Sequence, residues 1–324
     1  MIAIVGAGLI GTSIAWRLSQ SGLAATLFER GKLGGETSSA GAGMLSPGGE
    51  FDSHNRWLHL GLKGIRLFPA FVEELRSETG IPIDFQICGS VYFAEPSVAS
   101  ARAEFQSSVG IRVEVTPEGL VYPDDAFVDP SDLLRALRCA CERRGVKILE
   151  NHPVSEIETA DYDAVVIAAG AWSGGIRIQH QGRAVEIPET KPVKGHLIGF
   201  QMEPGALGRI RRWGHAYVLQ RSNGFTIAGS NEEDAGFDRT VDVNTCEEIH
   251  QHAAELFPDL RDLTPSDRWV GFRPKLIESS GPEIRRVDRT NVWLAYGHYR
   301  NGILLAPLTA KLIADQIIAG QTAP

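Results

Sequence analysis

The first residues of the chain that could do chemistry form a glycine-rich turn, Gly6-Ala7-Gly8-Leu9-Ile10-Gly11, followed about twenty residues later by an acid, Glu29. This spacing suits a dinucleotide. Gly6 allows the tight turn, Gly8 lets backbone approach a pyrophosphate, and Gly11 lets the following helix pack close on a sheet. The N–H groups and partial positive charge at that helix N-terminus favour the pyrophosphate. Glu29 would accept hydrogen bonds from both ribose hydroxyls, which a 2′-phosphate would prevent, so FAD or NAD is favoured over NADP. A second segment, residues 31–49, holds seven glycines and the run Ser38-Ser39-Ala40-Gly41-Ala42-Gly43-Met44. It reads either as a flexible loop or as backbone that must pass against a flat ring system, where side chains would collide. The turn before it favours the second reading.

The elements that must position these residues are present. Ile2-Ala3-Ile4-Val5 is a short apolar strand; Thr12 to Gln20 is helical, with Ala15 and Leu18 completing GxGxxGxxxAxxL; Ala24 to Phe28 is a second strand closed by Glu29. Trp57 to Thr79 reads as a helix broken or bent by Pro69. Residues 81–95 and 111–115 read as strands. Asp129 caps a helix with Pro130 at its first position and Gly145 beyond its end, and Val146 to Leu149 is a strand. Asp163 to Gly170 is an apolar run of the kind buried on both faces of a parallel sheet, leading into Ala171-Trp172-Ser173. Residues 193–230 alternate like antiparallel strands, with a turn at Ser222-Asn223-Gly224. Thr245 and Glu248 form a capping box at a helix start, and a strand from Val292 to Tyr296 precedes a helix from Gly302 to Gly320.

The fold expected is α/β with an α+β insert: a Rossmann-type domain (residues 1–80, 129–190 and 275–324) interrupted by a mainly antiparallel substrate domain (81–128 and 191–274). A chain of 324 residues has room for about two domains. The net charge of −8 argues against a nucleic-acid or anionic-membrane partner. Cys88, Cys139, Cys141 and Cys246 show neither metal-ligand nor CxxC spacing, so no metal is expected and the thiols read as reduced. Asp124-Asp125, Glu232-Glu233 and Glu247-Glu248 do not form paired-carboxylate sites, and Asp132 and Glu248 are explained by helix N-termini. With a strand beginning at Ile2, no room is left for a signal peptide. Gly302 to Gly320, interrupted by Lys311 and Asp315, reads as too short to span a bilayer, and a cytoplasmic location is expected.

Taken together, the N-terminal motif, Gly41-Ala42-Gly43-Met44-Leu45, Val165 to Ser173 and Gly297 to Pro307 resemble the D-amino-acid oxidase superfamily of FAD proteins over essentially the whole chain. Within it, Trp269-Val270-Gly271-Phe272-Arg273-Pro274 and Gly297-His298-Tyr299-Arg300-Asn301-Gly302 are most similar to the glycine oxidases of the thiamine pathway. The resemblance implies that Gly6, Gly8, Gly11 and Glu29 hold the ADP half of FAD. It places Ser38, Ser39, Gly43 and Met44 along the isoalloxazine, Ala169, Gly170 and Trp172 near the pyrophosphate, and Asn301, Gly302 and Ile303 at the flavin's O2 edge. It implies that Arg273 pairs with a substrate carboxylate, that Tyr217 hydrogen-bonds the same group, and that Arg300 lies at the flavin site. The activity implied is oxidation of a small amino acid: hydride passes from the α-carbon to flavin N5, the imine hydrolyses to an oxo acid and ammonia, and O2 becomes peroxide. A homo-oligomer is implied on the same ground.

The chain departs from this pattern at Gln220, where a proline usually precedes Arg221, at Asn231, where threonine is usual, and at Glu232, where a glycine oxidase that it resembles has a methionine near the substrate. Three alternatives stay open: a D-amino-acid dehydrogenase with a non-oxygen acceptor, an NAD-linked dehydrogenase, and a non-catalytic flavin-binding subunit. A covalently flavinylated type is disfavoured because no cysteine follows Cys246. Lys194 and His196 share a strand face that could approach the flavin, His215 could line the pocket two residues before Tyr217, and His298 has no assigned role.

Overall fold

Ile2–Val5 and Ala164–Ile167 have no polar face, and both are central strands buried along their whole length. The computed structural model describes residues 1–48, 53–279 and 281–322, so Gly49 of the glycine-rich segment and the last two residues of the chain lie outside it. Strand β1 (Ile2–Val5), helix α1 (Leu9–Gln20) and strand β2 (Ala25–Phe28) form the opening βαβ unit. Their sheet has six strands in the order Glu283–Arg286, Val292–Tyr296, Ala164–Ile167, β1, β2, Lys147–Leu149. All neighbours are parallel except the edge strand Glu283–Arg286. One face is covered by α1 and the helices Arg56–Thr79, Pro130–Arg143 and Gly302–Thr322. Trp16 and Phe71 meet edge to face there, 5.3 Å between centroids. Each such large side chain withdrawn from water contributes about 1.5–3 kcal/mol.

The second large sheet has eight strands, in the order Asp267–Leu276, Thr190–Gln201, Phe225–Gly229, Ala216–Gln220, Ile210–Trp213, Ser90–Phe93, Gly119–Tyr122, Glu114–Thr116. It is antiparallel apart from the pairing of Ile210–Trp213 with Ser90–Phe93. Helix Val243–Leu256 packs on one of its faces. The two sheets belong to one mixed α/β fold, and a short sheet of Met44–Leu45, Ala126–Val128 and Phe85–Gln86 lies between them in the chain's path.

Several elements differ from the sequence reading. Arg56–Thr79 runs as one helix through Pro69, which lies on its exposed side, so no break occurs there. Residues 81–95 hold only two short strands, and Pro96–Ser108, read as neither strand nor helix, is a helix. The cap of Val243–Leu256 is Asp242, whose carboxylate accepts from the Thr245 amide at 2.7 Å, so Thr245 lies inside the helix. Gly302–Gly320, with a mean hydropathy of 1.5, is long and apolar enough to cross a membrane, against the expectation. Here 56% of it is buried in the protein, against α1 and Arg56–Thr79.

Candidate active site

In a parallel sheet with crossover helices, ligands sit at the carboxyl ends of the strands. A cavity of about 440 Å³ opens there. Its floor follows the chain as it leaves four of the strands, at Val5-Gly6, Phe28-Glu29, Ala168-Ala169-Gly170, and Tyr296 and His298. Gly6 has φ +102°, and a Cβ there would stand 2.5 Å from the Ala168 carbonyl oxygen, so only glycine makes the turn. Gly11 does not line the cavity; it lets α1 close onto the Gly6 carbonyl. The N-cap of α1 is Gly8, with no side chain to occupy the helix end, and Leu9 N donates to Ser38 Oγ at 2.9 Å.

Glu29 is buried, and its two oxygens accept from the amides of Ala7 and Gly31, both at 2.9 Å. Those bonds fix the carboxylate at the end of β2 while leaving lone pairs for a ribose. Trp172 lines the same cavity, with the Arg30 guanidinium 3.6 Å above its ring and Phe237 stacked at 4.6 Å. The glycine-rich segment is tied to the second sheet by Thr37 Oγ1 donating to the Phe272 carbonyl (2.6 Å) and Trp269 Nε1 donating to that of Ala40 (2.9 Å). Ser38, Gly43 and Met44 line the cavity; Ser39 does not, being exposed with its hydroxyl on the Glu36 carbonyl.

The eight-stranded sheet supplies the opposite kind of wall. Arg273 crosses from its strand over Gly195, where a Cβ would stand 2.6 Å from Nη2 and 2.7 Å from Cζ. Its Nη1 donates to the Asn231 carbonyl (3.0 Å) and its Nη2 to Ser230 Oγ (2.6 Å). Among the described residues no carboxylate lies within 4.0 Å of this guanidinium. Burial lowers its pKa from the ordinary value, with the positive charge of Arg300 adding to the effect. Tyr217 is 8% exposed, and burial pushes its hydroxyl up, so at neutral pH it is a neutral donor facing the cavity. Arg300, Asn301, Gly302 and Ile303 complete the wall at the start of the last helix. His298 also lines it; burial holds its pKa down to about 3, and its Nε2 meets Thr309 Oγ1 at 2.9 Å.

A family model described as FAD dependent oxidoreductase (DAO) matches residues 1–316. The chain belongs to that family. Its cofactor is FAD, and it is an oxidoreductase. It is 32% identical over 348 residues to a glycine oxidase of Pseudomonas aeruginosa strain PAO1, covering 97% of this chain and 93% of that one. It is 30% identical to a glycine oxidase of Geobacillus kaustophilus strain HTA426, covering 99% and 94%. The crystal structure of glycine oxidase from Geobacillus kaustophilus superposes with a TM-score of 0.88, covering 98% of this chain and 94% of that chain. A bifunctional protein ThiO/ThiG of Synechocystis is 30% identical over 100% of this chain and 52% of its own length.

Two placements correct the sequence reading. Lys194 and His196 face away from the cavity; Gly195 and Leu197, between and beyond them, line it. Lys194 is buried with Asp238 (2.8 Å), and His196 Nε2 accepts from the Asp242 amide (3.0 Å). His215 lies in the turn before Ala216–Gln220 rather than on the strand, and its Nδ1 is 3.0 Å from Arg300 Nη1. Ser230 and Tyr299 were not singled out individually, although both line the cavity. Their signal lies in adjacency: Ser230 directly precedes Asn231, and Tyr299 directly precedes Arg300.

Proposed function

We propose that this protein oxidises glycine or a related small amino acid with FAD and O2, releasing an oxo acid, ammonia and peroxide. The observation that carries the reading is Arg273: a largely but not fully buried guanidinium, held in place by Ser230 and Asn231, without a carboxylate of its own among the described residues, beside an inward-facing tyrosine hydroxyl. A planar fork of donors takes a carboxylate in two parallel bonds, and burial makes that pairing stronger than it would be in water. Tyr217 would add a third bond to the same group. Gly6, Gly8 and Glu29 would hold the nucleotide half of FAD; Ser38, Gly43 and Met44 would lie along its ring, with Ala169, Gly170 and Trp172 between.

FAD, when bound, supplies the acceptor for the hydride and the route to oxygen. The chain's own residues orient the substrate, exclude water from the apolar stretch beside Leu197 and Ile303, and present the N-terminus of Gly302–Thr322 to the cavity. That helix end carries partial positive charge and favours negative charge developing beside it. Within the chain, His298 is held neutral by burial, so it adds no charge there. A cytoplasmic location, a homo-oligomeric state and a place in thiamine biosynthesis belong to the same proposal.

Peroxide release by the purified yellow protein tests the reading, with glycine, sarcosine, D-alanine, D-proline and L-alanine compared in air-saturated buffer. Peroxide with glycine or sarcosine foremost is the expected result. Reduction without peroxide would make the protein a dehydrogenase, and no reduction by any of the five would remove the proposed substrate class.

A further inference from the structure

The substrate side of the cavity carries two arginines that keep different company. Among the described residues, the Arg273 guanidinium bonds the Ser230 hydroxyl and the Asn231 carbonyl and no carboxylate. Arg300 Nη1 lies 3.5 Å from Glu232 Oε1 and 3.0 Å from His215 Nδ1, and the Tyr299 hydroxyl is hydrogen-bonded to Glu232. Arginine has no acceptor to offer, so His215 Nδ1 accepts the bond. The Arg300 side chain, which lines the cavity, is 19% exposed and that of Glu232, which does not, 34%, so the ion pair is partly screened but not fully in water. One of the two cations is thus engaged by an acid of the chain itself, and the other is left for a ligand. A pair in this setting adds little to stability. Its effect is on what else can approach.

We propose that Glu232 is a specificity-determining residue: by occupying Arg300 it restricts the site to amino acids with a single carboxylate, taken by Arg273, and turns away those with a second anionic group. A second carboxylate reaching towards Arg300 would meet the like charge of Glu232, and discrimination built on such repulsion is as effective as an added contact. The proposal rests on the reading of Arg273 as the carboxylate site.

The test is binding of unreactive carboxylates to the FAD-loaded protein, followed by calorimetry: acetate against malonate, succinate and glutarate. It uses the natural chain, Glu232→Gln, Glu232→Met and Arg273→Ala. Removing the acid takes away the like charge that a second carboxylate would meet beside Arg300, and the affinity of the best dicarboxylate relative to acetate is expected to rise about tenfold, or about 1.4 kcal/mol. A ratio unchanged within about threefold in both Glu232 variants overturns the inference alone. Acetate bound as tightly by Arg273→Ala as by the natural chain overturns the carboxylate-site reading beneath it. Glu232 belongs to no strand or helix, and the methionine variant guards against a local effect of the amide.

Discussion

Replacing Arg273 with alanine separates a ligand-binding cation from a structural one. The guanidinium makes two hydrogen bonds within the protein and meets no carboxylate among the described residues, while burial lowers its pKa. For folding, the lost bonds and the relieved desolvation offset one another, so stability should move by about 1 kcal/mol or less. Binding is different. A carboxylate left in a buried site without its cation costs about 2–5 kcal/mol, which is about 30-fold to about 5,000-fold in affinity. The assay is titration of the oxidised holoprotein with acetate, read by perturbation of the flavin absorption band, beside a melting curve. The expected pattern is a large loss of acetate affinity with the yellow colour retained and the melting temperature shifted by about 4 °C or less. An acetate affinity within about threefold of the natural chain would refute the reasoning, because no other change in the site could then be blamed.

Three further outcomes follow from the same geometry. Gly195→Ala puts a methyl group into the Arg273 guanidinium and should weaken acetate about tenfold while flavin content stays; unchanged binding would mean the observed pose over Gly195 is not the one that binds. Glu29→Ala removes the acceptor of the Ala7 and Gly31 amides and of the ribose, so FAD should bind about 1–3 kcal/mol more weakly to the apoprotein, and an unaltered affinity would remove Glu29 from the cofactor site. For His298, the native pKa is about 3 against an ordinary 6.5, so between these values the unfolded chain binds more protons and stability falls as pH falls. At pH 5 this costs about 2 kcal/mol, and His298→Gln should flatten the melting profile between about pH 3 and 6.5; an unchanged slope would contradict the burial argument.

What could be read from the chain was what is local. The βαβ unit from Ile2 to Glu29 appears as expected because each glycine answers to a backbone constraint within a few residues of it. The Asp129 cap was legible for the same reason, and its carboxylate accepts from the Ser131 amide at 2.8 Å. At the next cap the sequence reading took Thr245, and the cap is Asp242, three residues earlier, whose carboxylate accepts from the Thr245 amide. The helix Pro96–Ser108 gave little signal: its buried side is made of small residues such as Ala99 and Ala103, without a strong apolar stripe. Strand parity was out of reach as well. Alternation shows that Lys194 and His196 share a face, but not whether that face meets the cavity or the helix Val243–Leu256. The Glu232–Arg300 pair joins two distant loops, and only the folded chain brings them together.

The measurement that tests the account most directly is anaerobic mixing of the yellow holoprotein with glycine, followed at the oxidised-flavin band, and then admission of air. The account predicts bleaching by glycine, recovery of the colour on aeration, and peroxide in amounts equal to the oxo acid formed. A band that stays unbleached by glycine, sarcosine and D-alanine, in protein that still binds acetate, would contradict it.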